Sequence, residues 1–94
     1  MIWKKALGKY VVVVDPKALK FLGKLAKTHF ETANQFHKRF TKLSDNPYSG
    51  KLLKGNYSGF YRIRVWDYRA VYKVIESKQE VFIAAVGHRK DIYR

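Results

Sequence analysis

The sequence predicts an α+β fold in the element order β-α-α-β-β-β, with a helical hairpin packed on one face of a small, mainly antiparallel four-stranded sheet. Two periodic patterns predict it. Apolar residues recur at helical spacing between residues 16 and 45, and they alternate with polar residues after residue 59. The segment PYSGKLLKGNYSG (47–59) separates these patterns and is expected to be a loop. At 94 residues the chain is expected to form one domain, residues 1–94.

The first half of the chain predicts one strand and two helices. YVVVV (10–14) is a continuous β-branched run, which is typical of a buried or half-buried strand. Asp15-Pro16 predicts a helix start, with Asp as N-cap and Pro at the first helical position. THFE (28–31) matches a capping box and predicts a second helix, which Asn46-Pro47 ends. Because almost nothing separates the helices, they are expected to pack as a hairpin.

The second half predicts a three-stranded meander. Its strands are FYRIRVW (60–66), RAVYKVIE (69–76) and EVFIAAVG (80–87), with turns at Asp67-Tyr68 and at residues 77–79. In the first of these strands Ile63 and Val65 alternate with the neighbouring arginines. If the apolar pair meets the helices, the arginines lie on the open face of the sheet.

Charge and composition limit the class of partner. The chain has 20 Lys and Arg against 7 Asp and Glu, a net charge of +13. Such a field attracts nucleic acid, an acidic membrane face or an acidic protein; the alternative is a merely cationic surface. No apolar run approaches the ~20 residues that span a bilayer, and no cysteine can form a disulfide or a thiolate zinc site. We therefore expect a cytoplasmic protein without a membrane partner.

The open face is the candidate site. Neighbouring strands lie ~4.8 Å apart, so basic groups from three strands are expected to converge there. They are Arg62, Arg64, Arg69, His88 and Arg89. The alternative is a solvated sheet face, with a histidine bonded to a backbone carbonyl and Tyr93 as an apolar anchor. That alternative predicts acids opposite the bases, and the stretch FYRIRVWDYR offers only Asp67.

These residues also carry a family resemblance. KLLKG, then GFYRIRVWDYRAVYKV, then VFIAAVGHRKDIYR resemble the RelE/ParE superfamily of toxins from type II toxin–antitoxin operons, and most of all its RelE branch. The resemblance covers nearly the whole chain, and its most specific parts are YRIRV-x-DYR-x-x-Y and the ending GHR-x-x-x-Y. It implies the RelE-like microbial RNase toxin fold.

The resemblance implies an mRNA endoribonuclease (mRNA interferase) that acts at the ribosome without metal or cofactor. The ribose 2′-OH attacks the adjacent phosphorus, giving a 2′,3′-cyclic phosphate and a 5′-OH, and translation and growth stop. The implied partners are mRNA and ribosomal RNA, a cognate acidic antitoxin, with a heterotetramer as one arrangement, and operator DNA reached through that antitoxin. Two alternatives stay open: a ParE-like non-nuclease toxin that inhibits DNA gyrase, and an inactive relative that only binds antitoxin.

Chemistry and resemblance together suggest the roles. Arginine binds phosphate well but is a poor base, because its pKa exceeds ~12. Some relatives have lysines, proposed as acid–base groups, in place of the pair Arg62 and Arg64, so His88 is the expected general base or acid, with a reference pKa of ~6.5. The predicted catalytic residues are Arg64, Arg69, His88, Arg89 and Tyr93. The predicted RNA-binding residues are Arg62, Arg64, Arg69, Arg89, Lys90 and Arg94.

Two aromatic residues, Trp66 and Tyr93, are candidates for base stacking. Many relatives have glycine where this chain has Trp66. That side chain is open to three interpretations: a stacking surface, an antitoxin contact or an unusual turn residue.

Overall fold

The computed structural model describes residues 3–5 and 8–93, which form a mixed sheet and two helices. The helices are α1 (Pro16–Thr28) and α2 (Phe30–Leu43). The strands are β1 (Trp3–Lys5), β2 (Val11–Val14), β3 (Lys51–Leu52), β4 (Tyr61–Val65), β5 (Tyr68–Ile75) and β6 (Glu80–His88). The sheet order is β1-β2-β6-β5-β4-β3, and β2 runs parallel to β6 while the other described pairs are antiparallel.

The predicted α+β architecture is confirmed, with a sheet of six strands where four were expected. The additional strands, β1 and β3, are three and two residues long and lie at the two edges. Strands this short have no room for a repeating pattern, and β3 lies within the segment that its composition predicts to be a loop. The two edge strands, β1 and β3, therefore form because they pair with β2 and β4, and local sequence does not specify them.

The helical hairpin begins as predicted. The Asp15 carboxylate accepts a hydrogen bond from the backbone N–H of Lys17 at 2.9 Å, and Pro16 is the first helical residue. The predicted capping box at the second helix is wrong. Thr28 is still the last residue of α1, so His29 becomes the N-cap of α2 and makes no side-chain capping bond. The second helix nevertheless starts inside the predicted segment, at Phe30.

The core lies between the hairpin and one face of the sheet. Its fully buried members come from both layers, which removes their apolar surface from water, worth about 1.5–3 kcal/mol for each large side chain. They include Val12, Val14, Phe36, Leu43, Ile63, Tyr72, Val81 and Ile83. Ile63 and Val65 are core residues, as their alternation predicts, so the intervening Arg64 lies on the face away from the helices.

Tyr72 attaches the loop after α2 to the sheet. Its buried hydroxyl donates a hydrogen bond to the carbonyl oxygen of Pro47 at 2.8 Å and accepts one from the backbone N–H of Gly50 at 2.9 Å. A Cβ at Gly50 would lie 2.5 Å from that hydroxyl, so the close approach requires glycine. Burial raises the pKa of Tyr72 to about 12.

A bulge in β6 sets the faces of its last residues. Val71 pairs with Ala85 but Tyr72 pairs with Ile83, which leaves Ala84 without a direct partner. One extra residue reverses the alternation of side chains beyond it. Ile83 and Val86 therefore both reach the core, three residues apart. None of the helices in the described ranges is long and apolar enough to cross a membrane.

Candidate functional site

Three arginines form a row on the open face of the sheet. Arg64 on β4 lies directly opposite Arg69 on β5, and Arg62 precedes Arg64 by two residues on the same face. Arg64 is exposed, Arg62 is half-buried and Arg69 is only 9% exposed. The Nε of Arg62 is buried and has no hydrogen-bond partner among the described residues. Three like charges without a facing carboxylate make a surface that favours an anion.

Arg69 is held in place by the turn between β4 and β5. Its Nη1 donates to the carbonyl oxygens of Trp66 at 2.8 Å and Tyr68 at 3.1 Å. Burial, and then the charges of Arg64 and Arg62, lower the pKa of Arg69. An arginine pKa begins so high that the group remains cationic at neutral pH. The guanidinium is therefore a fixed positive charge in the row, beside Arg64.

Arg89 attaches the end of the chain to the same turn. Its backbone N–H donates to the carbonyl oxygen of Asp67 at 2.7 Å. Its side-chain Nε lies 3.6 Å from the Asp67 carboxylate. Both side chains are more than half exposed, so this ion pair adds little stability and leaves Arg89 able to change partner. The charge of Arg89 also lowers the pKa of Arg69, which places it near the row.

The residues after β6 fold back over the open face. The backbone N–H groups of Asp91 and Ile92 donate to the carbonyl oxygen of His88 at 2.8 and 3.0 Å. Ile92 then packs on Gly87, the residue opposite Arg69, where a Cβ would meet Ile92 Cδ1 at 3.4 Å. The C-terminal turn therefore covers the sheet beside the arginine row.

That turn brings Tyr93 to the row. Its ring packs edge-on against Tyr57, with 5.2 Å between centroids, and it is 37% exposed. Tyr93 also raises the pKa of Arg69, against the effect of the neighbouring arginines. Tyr57 lies in a 3-10 turn, Gly55–Tyr57, inside the predicted loop, and its position was not foreseen. Lys90 is exposed in the C-terminal turn, and Arg94 lies outside the described residues.

His88 is separated from the arginines, so the prediction that it converges with them is wrong. The bulge pairs His88 with Tyr68, whose ring packs against Phe21 of α1. The imidazole contacts Tyr68 edge-on at 5.3 Å between centroids, on the helix side of the sheet. Its Nδ1 accepts a hydrogen bond from the backbone N–H of Lys90 at 3.1 Å. In the neutral ring Nε2 then carries the proton, which is unsuitable for a general base.

Trp66 occupies a strained turn position. Val65 pairs with Tyr68, so the two-residue turn is Trp66-Asp67, one residue earlier than predicted. The backbone of Trp66 has φ +50°, whereas Asp67 is not among the residues with positive φ. These φ signs match a type II′ turn, which favours glycine at its first position. The indole is 62% exposed.

The model of a family described as the ParE toxin of the type II toxin–antitoxin system, parDE, matches residues 5–93. The chain belongs to the ParE toxin family. The predicted membership of the RelE/ParE superfamily is therefore confirmed. No curated protein matches the sequence.

Solved structures place this ParE-family toxin beside RelE proteins. An arginine double mutant of the E. coli toxin RelE in the free state is 26% identical, with 93% of this chain and 90% of that chain covered and a TM-score of 0.72. The isolated E. coli RelE toxin is 31% identical over 87% and 88% of the two chains, with a TM-score of 0.64. The toxin–antitoxin complex RelBE2 from Mycobacterium tuberculosis is 29% identical over 86% and 99%, with a TM-score of 0.68. The RelE-like fold is thereby confirmed.

Proposed function

We propose that this toxin is an endoribonuclease that cleaves mRNA at the ribosome and so inhibits translation. The observation that supports it is the convergence of Arg62, Arg64, Arg69, Arg89 and Tyr93 on one open face. Four guanidiniums offer donors that match phosphate oxygens. Identities of 26–31% to RelE toxins, whose branch the sequence resemblance links to RNA cleavage, support the same reaction.

The reaction needs stabilisation of charge more than any other contribution. When the 2′-OH attacks phosphorus, the bond from phosphorus to the 5′ oxygen breaks and negative charge grows on the phosphoryl oxygens. Arg69 is already fixed by two carbonyl oxygens, so its remaining N–H donors need no reorganisation. Arg62 adds a further positive charge on the same face of the sheet. Arg64 and Arg89 are exposed and can follow the strand.

Proton transfer falls to Tyr93 in this proposal. It is the phenol beside Arg69. Tyr93 gives its proton to the departing 5′ oxygen, and the proton of the 2′-OH passes to solvent. His88, which the sequence favoured as base or acid, lies on the helix side and acts through the backbone bond that shapes the C-terminal turn.

A second candidate function is inhibition of DNA gyrase without RNA cleavage. The family model that matches residues 5–93 is that of ParE toxins, and this match favours the alternative. Both functions use the same fold and the same positive charge. They differ in whether the arginine row binds an RNA phosphodiester that is then cleaved.

We further propose an acidic antitoxin as the partner, in a cytoplasmic complex that reaches operator DNA through the antitoxin. RelBE2 and the E. coli RelBE structure are toxin–antitoxin complexes. The net charge of +13 fits an acidic partner. An apolar groove of about 380 Å³, lined by Val14, Leu19, Leu22 and Phe40, opens on the helix side, and exposed lysines of α1 lie close by in sequence. Apolar side chains of an acidic segment would fit there.

Mapping of mRNA 5′ ends after expression tests the nuclease. Wild type is compared with Arg89→Ala and Tyr93→Phe, both at exposed positions, and with Lys24→Ala on the outer side of α1 as a matched control. We expect new codon-spaced 5′ ends in wild type and Lys24→Ala, and a loss of 100-fold or more, roughly, in Arg89→Ala. Growth arrest without new mRNA ends, together with inhibited supercoiling by gyrase, would establish the ParE-like function instead.

A further inference from the structure

Trp66 is a residue whose presence the fold does not explain. Its indole is 62% exposed and makes no hydrogen bond or ring contact with any side chain in the described part of the chain. Its backbone φ of +50° is unfavourable for a bulky aromatic, and glycine would occupy the same turn without strain. A strained and exposed aromatic side chain is more consistent with contact to a ligand than with a contribution to folding.

The turn that carries Trp66 is held by two arginines of the site, Arg69 and Arg89. The carbonyl oxygen of Trp66 accepts from Arg69 Nη1 at 2.8 Å. The carbonyl oxygen of the next residue, Asp67, accepts from the backbone N–H of Arg89 at 2.7 Å. The backbone that carries the indole is therefore fixed beside two of the four arginines that the proposed function assigns to phosphate.

We propose that Trp66 stacks on a nucleobase of the RNA strand whose phosphates the arginine row binds, an inference that rests on the proposed function. Arginines that hold phosphates give no contact to a base face, and every base offers such a face to an indole. Tyr93, the other aromatic of the site, has its ring packed on Tyr57. Trp66 thus supplies a contact to bases, which distinguishes a nucleic-acid strand from polyanions that lack bases.

An RNA strand fits this side chain better than an acidic protein does. The turn is held by the same guanidiniums that form the anion site, so base and phosphate would be bound together. The apolar groove suited to a protein partner lies instead on the helix side of the sheet, lined by residues of β2, α1 and α2. The experiment must therefore distinguish contact of Trp66 with RNA from contact of Trp66 with an antitoxin.

Fluorescence of Trp66 provides the test. The chain has two tryptophans, so Trp3→Phe leaves Trp66 as the single reporter. The probes are a 2′-O-methyl oligoadenylate, which lacks the attacking hydroxyl, and an abasic ribose-phosphate strand of the same length. Binding to the Trp3→Phe parent is followed by Trp66 fluorescence. Binding to the parent and to its Trp66→Phe and Trp66→Leu derivatives is compared with a fluorescent label on the oligonucleotide. The leucine variant keeps a bulky apolar side chain on a folded turn without an aromatic face.

Stacking predicts quenching of Trp66 by the oligoadenylate and little change with the abasic strand. It also predicts that Trp66→Leu binds the oligoadenylate roughly 5- to 100-fold more weakly, with Trp66→Phe between the two, while the abasic strand binds all three alike. Absence of quenching, equal oligoadenylate affinities, or equal losses for both strands would overturn the inference. So would a Trp66 that an acidic antitoxin buries while RNA leaves it unchanged.

The two proposals fail separately. Quenching and base-dependent affinity without any mRNA cleavage would support the stacking role of Trp66 and contradict the nuclease proposal. Cleavage with an unresponsive Trp66 would retain the nuclease and remove the stacking role.

Discussion

Exchanging Trp66 for glycine and for alanine measures the strain in the β4–β5 turn. Both variants lose the indole, so the difference between them reports only what a Cβ costs at this position. A Cβ in the left-handed region, where Trp66 has φ +50°, costs about 1–2 kcal/mol. Glycine costs about 0.5–1 kcal/mol more than alanine in chain entropy on folding. Trp66→Gly should therefore be more stable than Trp66→Ala by about 1 kcal/mol.

Urea denaturation followed by circular dichroism measures this difference, and thermal denaturation repeats it. For a chain of 94 residues, 1 kcal/mol corresponds to roughly 4–8 °C in Tm. Lys73 supplies the matched control, since it is exposed in the middle of β5 and has no positive φ. There the order should invert, with Lys73→Ala more stable than Lys73→Gly. If alanine is more stable than glycine at position 66, as it is expected to be at position 73, the turn is not strained and the functional reason for Trp66 is lost.

Four further predictions concern the site and its support. Tyr72→Phe should lower the free energy of unfolding by about 2–4 kcal/mol, since it leaves the buried carbonyl of Pro47 and the N–H of Gly50 without partners. A loss below about 0.5 kcal/mol in urea denaturation would contradict this. The folded-state pKa of Tyr72 is raised to about 12 from 10.0, so the stability that its neutral hydroxyl contributes is complete below pH ~10 and is lost as pH rises towards ~12. Between these pH values, wild type should lose stability relative to Tyr72→Phe. Arg69→Lys should reduce mRNA cleavage roughly 100- to 1000-fold, because a lysine ammonium lacks the planar set of N–H donors with which arginine can bond both carbonyls and a phosphate. Cleavage within threefold or so of wild type would count against the role of Arg69. Arg64→Gln should make the salt dependence of single-stranded RNA binding shallower by about 0.7 in log Kd against log salt, and an unchanged slope would place Arg64 outside the phosphate path.

Local sequence determined the two helices, the four central strands and one face of the sheet. Asp15-Pro16 fixed the start of α1 through a cap that needs only neighbouring residues. The alternation around Ile63 placed Arg62 and Arg64 away from the helices, because side chains alternate strictly along a regular strand. The basic, almost acid-free face followed from that alternation and from composition.

Tertiary structure decided which of the remaining candidates reach that face. The bulge at Ala84 reversed the alternation in β6 and sent His88 to the helix side, and the pairing register of β5 and β6 rather than the residue pattern of β6 sets such a bulge. Packing of Ile92 on Gly87 folds the C-terminal turn back locally, but the ring contact of Tyr93 with Tyr57 joins it to a loop distant in sequence, which no spacing in GHRKDIYR specifies. The positive φ of Trp66 arose in the same way, since the register of β4 and β5 left two residues for the turn and imposed a glycine-like conformation on a tryptophan.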